Sequence, residues 1–440
     1  MFKSSKASSR TIFGWGMFDF ANQAFTLLII TVIFGDLYTR VIVADGPDYR
    51  LGNLLWSLAL ALSYLMVVLF APLLGALADY AASRKRLLFI SYLATVAASF
   101  ALVVIEPGMV WLGFVLIVLA NTAYALGESF IAAFLPSLGA PGELGRISGF
   151  GWALGYAGGL VAAVVALLFL GEVSAENYDR IRWVGPLAAI FFLIAAIPTF
   201  LWVPEPPGRR RRMGGRLFVA AWLRVRTSVQ MVAQFRDLAW LFGSLLFAMA
   251  GVYVVIAFSF IYGAQVIGWD EATRTLMFIA VQVSALIGAL LFGRLQDRLG
   301  GKRTYAITLL LWVVAIGAIV FVAPITGWVN ALLGWHYGVQ DLFLVAGVLA
   351  GLSLGSSQSV GRALVGVFAP PKKAAELFGF WGLFSKLAAI FGLFGVGLLQ
   401  WLFGLQGALL FCALLFLVAL LPLMQIDEAR GRATALTHRD

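Results

Sequence analysis

Apolar residues run along this chain in long unbroken blocks, without the alternation of a half-buried strand or the single stripe of a water-facing helix. Blocks of roughly 20 apolar residues are what crossing about 30 Å of hydrocarbon requires. The pattern predicts about twelve such helices, over residues 12–38, 52–78, 86–105, 109–136, 148–170, 184–203, 238–264, 274–295, 304–324, 342–368, 376–401 and 404–425. The basic segment Met1–Arg10 leads into the first block with no small-residue cleavage site, so this helix is expected to be retained.

Polar residues mark the order of these blocks. With a cytoplasmic N-terminus, Lys3, Lys6, Arg84, Lys85, Arg86, Arg146, the Arg209–Arg212 run, Lys302, Arg303, Lys372 and Lys373 all fall in inside connections. Outside connections carry Asp45, Asp48, Glu106, Glu172, Glu176, Asp179, Asp270, Glu271 and Asp341. This asymmetry predicts both termini in the cytoplasm and an inner-membrane location. Residues 204–237 hold the longest polar stretch, a linker with an interfacial helix bearing Arg216, Arg224 and Arg226. It divides the chain into a six-helix half over 1–203 and another over 238–425, with a cytoplasmic tail at 426–440. An internal echo supports the division: "GALADYAASRKR" (Gly75–Arg86) follows the second block, and "GRLQDRLGGKR" (Gly293–Arg303) follows the eighth. Repeats of this kind, with a midplane site, mark secondary transporters that work by alternating access.

Composition sharpens the class. Of 440 residues, 62% are hydrophobic and 12% charged, which places the chain among integral membrane proteins. The net charge of +10 sits in short connections rather than on one soluble face, so it reports orientation and not nucleic-acid binding. The single cysteine, Cys412, excludes a disulfide framework and a multi-cysteine metal site. No GxxxxGK loop is present to couple transport to ATP.

The echoed segments resemble the cytoplasmic motif of the major facilitator superfamily. The resemblance implies an all-α integral membrane protein of two six-helix halves, in which Asp79, Arg84, Asp297 and Arg298 hold a cytoplasmic gate and cap helix ends. Three further segments are similar to the vacuolar amino-acid effluxer family known from autophagy and its bacterial relatives: "FDFANQAF" (Phe18–Phe25), "FLPSLGAPGELGRISGFGWALGYAGG" (Phe134–Gly159), and "GSSQSVGRALVGVFAP" with "AAELFGFWGLFSK" (Gly355–Lys386). This likeness implies a proton-linked exporter or exchanger of small solutes, amino acids among them. Ala250, Ala132 and Leu393 stand where it leads one to expect an acid, an asparagine and a proline.

Ionisable groups inside spans cost about 2.5–3.5 kcal/mol each on insertion scales and are therefore candidate functional sites. Asp19, Asn22 and Thr26 form one polar stripe on the first helix, facing either a cavity or a neighbouring helix. Glu128 lies deep in the fourth, with Asn121 and Tyr124 on its face. A carboxyl in low dielectric has a raised affinity for its proton, so Asp19 and Glu128 are the candidates for proton coupling. His336 and His438 lie outside the spans. Asn22, Tyr124, Gln358, Lys386 and Arg362 are the candidate substrate contacts, Arg362 having a gate role as its alternative. Trp152, Tyr156, Tyr253 and Trp381 either line a cavity or pack. "GLSLG" (Gly351–Gly355) fits a hydrolase nucleophile pattern, but it sits in a spanning helix with no strand before it. Gly151, Gly155 and Gly159 predict close helix packing.

These residues predict a monomeric, proton-coupled carrier of a small polar or anionic solute, with the lipid bilayer as its other partner and no cofactor beyond the proton gradient. Two rivals stay open, a carrier or flippase of amphipathic or lipid-linked cargo and a membrane scaffold or sensor. An enzyme would need a His, Cys or metal constellation that the sequence does not show.

Overall fold

The computed structural model describes residues 7–43, 49–170, 176–206, 223, 235–334 and 336–437. Twelve helices among them are long and apolar enough to cross a membrane, at Ser9–Val43, Leu51–Tyr80, Arg84–Val104, Val110–Ser137, Pro141–Phe169, Tyr178–Trp202, Arg236–Ile256, Thr273–Leu299, Gly301–Val320, Val339–Phe368, Pro371–Gly392 and Gln406–Met424. They are numbered below as spans 1 to 12, and each corresponds to one of the expected apolar blocks. The Arg209–Arg212 run and Arg216, Arg224 and Arg226 lie outside the described residues, as do Lys3, Lys6, Asp45, Asp48, Glu172 and His438.

The chain divides into two compact units. The first comprises Met1–Leu138, Leu154–Arg226 and Pro371–Leu383; the second comprises Gly139–Ala153, Thr227–Pro370 and Phe384–Asp440. Each unit thus takes most of one sequence half and a short helix-starting piece of the other.

In the first unit, span 1 is the central strut. Its indole Trp15 donates to the Ile131 carbonyl at 2.8 Å, and the Thr199 hydroxyl donates to the Gly14 carbonyl at 2.7 Å, tying it to spans 4 and 6. Gly158 of span 5 is pressed so closely on the Phe20 carbonyl that no Cβ could stand there. Span 1 is not a uniform α-helix. Phe25–Val32 and Tyr38–Val43 have π-helical bonding, one turn of which the Thr31 hydroxyl marks by bonding back to the Thr26 carbonyl at 2.8 Å. Such stretches commonly lie at functional positions. Phe25, Ile29, Phe34 and Tyr38 of its second half form an apolar core with Ile117 and Val184.

In the second unit, spans 8 and 10 pack backbone to backbone. A Cβ at Gly351 would meet the Val281 carbonyl at 2.5 Å, and Gly288 and Gly355 are pressed still closer to the Leu352 and Ala285 carbonyls. "GLSLG" is therefore helix-packing surface, and the Ser353 hydroxyl is spent on the Leu349 carbonyl at 2.7 Å. Spans 11 and 12 form one apolar run interrupted at Gly404, where φ is 71°. The block expected at 304–324 breaks at Phe321, and a separate short helix, Val322–Leu333, follows.

Candidate functional site

A helix start exposes N–H groups without intrahelical partners, and the aligned peptide dipoles favour a negative charge there. Four carboxylates answer this at four helix starts. In the first unit, Asp79 at the end of span 2 accepts from the backbone N–H of Ala375 at 3.2 Å and of Glu376 at 2.9 Å, at the beginning of span 11. The same carboxylate is paired with the Arg84 guanidinium at 2.7 Å, its side chain fully buried. Arg84 also donates to the carbonyls of Ala133 and Pro371. Glu205, just past span 6, accepts from the N–H groups of Arg84 and Lys85, both at 2.8 Å, at the start of span 3.

The second unit repeats the scheme. Asp297 accepts from the N–H groups of Gly145 at 2.9 Å and Arg146 at 3.0 Å, at the start of the long helix of span 5. Glu428, past span 12, accepts from the Lys302 N–H at 3.1 Å at the start of span 9. The Lys85 ammonium donates to the Val203 carbonyl, and the Lys302 ammonium to those of Met424 and Ile426. Charge-assisted hydrogen bonds of this kind contribute about 1.5–3 kcal/mol each, so the set holds helix ends firmly while leaving bonds that can be made and broken.

The expected gate residues Asp79, Arg84 and Asp297 are each placed in these clusters. Arg298 is not brought to Asp297: it is exposed, and the residue in register with Arg84 is Lys302. Glu205 and Glu428 were not singled out from the sequence, although each follows a span by a few residues and heads a polar segment. The tail adds a further tie. Arg430 donates to Asp237 at the head of span 7 through two bonds of 2.8 and 2.7 Å, and this hydrogen bonding pushes the Arg430 guanidinium up, further toward its charged form.

Arg362 of span 10 belongs with these clusters. Its guanidinium donates to the Ser148 hydroxyl at 3.1 Å and carbonyl at 3.0 Å and lies over the Trp152 ring at 5.0 Å. The Ser148 hydroxyl in turn donates to the Ser359 carbonyl at 2.8 Å. These bonds join spans 5 and 10 within the second unit.

Deeper in the first unit, Asp19 and Asn22 are buried on span 1, and the Asn22 side-chain oxygen has no hydrogen-bond partner. One turn on, the Thr26 hydroxyl donates to the Tyr124 phenol at 2.7 Å, and Phe25 stacks on the Tyr124 ring. Asn121 instead donates to the Ser63 hydroxyl of span 2 at 2.6 Å. Glu128 is half-buried on span 4. In the second unit, Lys386 is buried in span 11, with its ammonium 3.5 Å from the Tyr253 phenol and 5.8 Å from that ring's centre. Gln358 is half-buried on span 10. The first unit therefore offers an acid and acceptor oxygens, and the second a cation, all within spans.

This helix order and packing match solved transporters of the major facilitator superfamily. A proton:xylose symporter, XylE, covers 96% of both chains at 16% identity with a TM-score of 0.71. The human organic anion transporter MFSD10 (TETRAN) matches at 17% identity and a TM-score of 0.71, covering 94% of this chain and 99% of its own. The class is thus a multi-pass membrane protein of the major facilitator fold. The family model described as "Vacuole effluxer Atg22 like" matches residues 55–145 and 142–436, and the chain belongs to that family. Among its relatives are an uncharacterized MFS-type transporter, YxiO, of Bacillus subtilis, 23% identical over 94% of both chains, and autophagy-related protein 22-1 of Neosartorya fischeri, 24% identical over 66% of this chain. The chain spans about half the length of that fungal relative, 49% of it.

Proposed function

We propose that this protein is a proton-coupled secondary transporter that exports or exchanges a small polar or anionic, amino-acid-like solute by alternating access. It does so in the inner membrane, with both termini in the cytoplasm. The observation that carries this reading is the pair of acids within the spans of the first unit: Asp19, buried beside Asn22 on span 1, and Glu128 on span 4. A carboxyl group placed within a span can carry a proton and pass it on when its surroundings change, which is what coupling to a proton gradient needs. Within the first unit, Asn22, Thr26 and Tyr124 are hydrogen-bonding groups for a solute; within the second, Lys386 and Gln358 are a cation and an amide for an anionic group. The family's description as an effluxer favours export.

The test uses sealed proteoliposomes holding a pH-sensitive dye, with amino acids, peptides, sugars and organic anions added in turn. A pH change that depends on an amino acid or small organic anion is the expected result. Silence for every polar solute, with movement of an amphipathic or lipid-linked one, would replace this reading with that of a flippase. Silence for all would point to a scaffold or sensor.

A further inference from the structure

Span 9, Gly301–Val320, is 20 residues long and by itself covers the roughly 30 Å of a bilayer's hydrocarbon. Its helix breaks at Phe321, with φ −101° and ψ 23°, and the chain then forms the 12-residue helix Val322–Leu333 before span 10 begins at Val339. The second helix thus begins at the end of span 9 opposite Lys302 and Arg303, set off from the span by the break at Phe321.

Its chemistry does not suit water. Val322–Leu333 contains no charged residue, yet Trp328 is 66% and Leu332 64% exposed. These two continue a stripe that begins on span 9: Ile307, Leu310, Val314 and Phe321 are all exposed, at spacings of three, four and seven, and Trp328 and Leu332 follow at seven and four. The lipid-facing surface of span 9 thus runs on across the break. Only Val322 and Thr326 are buried, so the helix rests lightly on the protein. Gly334, at φ +65°, ends it, and Asn330 closes the turn by bonding both the carbonyl and the N–H of Tyr337, at 2.9 and 3.1 Å. The matching connection in the first unit, residues 105–109 between spans 3 and 4, has no such helix.

We infer that Val322–Leu333 is an interfacial helix, lying in the headgroup boundary of the outer leaflet with Trp328 and Leu332 inserted among the acyl chains. Exposed Trp and Tyr rings prefer this depth, because an apolar body and a polar edge are both accommodated there. Tyr337, also exposed, supplies a second such ring just past the turn. The partner is lipid, held by continuity with the lipid face of span 9, and the helix fixes the depth at which the span 9–span 10 connection sits.

The test is spin-label accessibility in the full-length protein reconstituted in phospholipid vesicles. In a Cys412→Ala background, which removes a buried thiol, nitroxides are placed at Leu332→Cys and at Val314→Cys. Ala331→Cys, small and exposed beside Leu332, serves if Leu332→Cys fails to fold. The expected result is a 331 or 332 label reached by oxygen several-fold more readily than by an aqueous nickel chelate, at a depth shallower than the 314 label. A label reached mainly by the nickel chelate would show a water-facing helix and overturn the inference. So would a label immobilised and shielded from both reagents, which would show a protein partner or a second copy on this face.

Discussion

Asp79 shows how much a single carboxylate does here. It is paired with Arg84 and receives two N–H groups of span 11, all out of water. Removing one partner of a buried pair costs about 3–5 kcal/mol, because the other charge is left uncompensated. Asp79→Ala is therefore expected to lower the thermal unfolding midpoint of the detergent-solubilised protein strongly. Arg298→Gln, at an exposed position, should change stability by no more than about 0.5 kcal/mol. An equal effect of the two variants would contradict the assignment. Asp79, Arg84 and Asp297 were legible because the motif appears twice. The counterpart of Arg84 was not, because charge type singled out Arg298, whereas position in the turn is what decides: the residue five after Asp297, as Arg84 is five after Asp79, is Lys302, and its ammonium is spent on two carbonyls rather than on Asp297. Glu205 and Glu428 left no sequence signal beyond following a span, since a cap becomes visible only when the distant helix start is brought to it.

Among the helices, the apolar blocks revealed existence and order, because length and hydrophobicity alone determine whether a segment can cross. They did not reveal the helix's internal register. The π-helical stretches of span 1 lie within an apolar run that reads the same in either winding. The break at Phe321 was likewise hidden, because the residues on both sides are apolar. Glycine spacing predicted close packing on span 5, and there Gly145, Gly149 and Gly158 are each pressed on the backbone of another helix more closely than a Cβ allows. At Gly155 a Cβ would stand 3.4 Å from the Asp19 carbonyl, an ordinary contact. Gly155→Ala should therefore yield a monodisperse protein that unfolds within a few degrees of wild type. Gly158→Ala should force span 5 from span 1 and lower the yield of folded protein severely. Size-exclusion profiles and thermal unfolding read both, and an indifferent Gly158→Ala would show that the two helices are not in backbone contact.

For the molecule as a whole, composition and the polar connections were enough to define a membrane transporter built from two related sets of six spans. The exchange of short segments, 371–383 in the first unit and 139–153 in the second, was not legible, because it depends on Asp79 and Asp297 each reaching a helix start far away in sequence. Placing Asp19, Asn22, Thr26 and Tyr124 near one another needed only helical spacing for the first three, whereas the Thr26–Tyr124 bond needed the fold. The central claim is that an acid within the spans couples solute movement to protons. It is tested most directly with Glu128→Gln in proteoliposomes, comparing solute movement driven by a pH gradient with exchange of labelled for unlabelled solute at equal pH. The account predicts that the variant folds, keeps exchange and loses gradient-driven movement. Full gradient-driven transport by Glu128→Gln would contradict it.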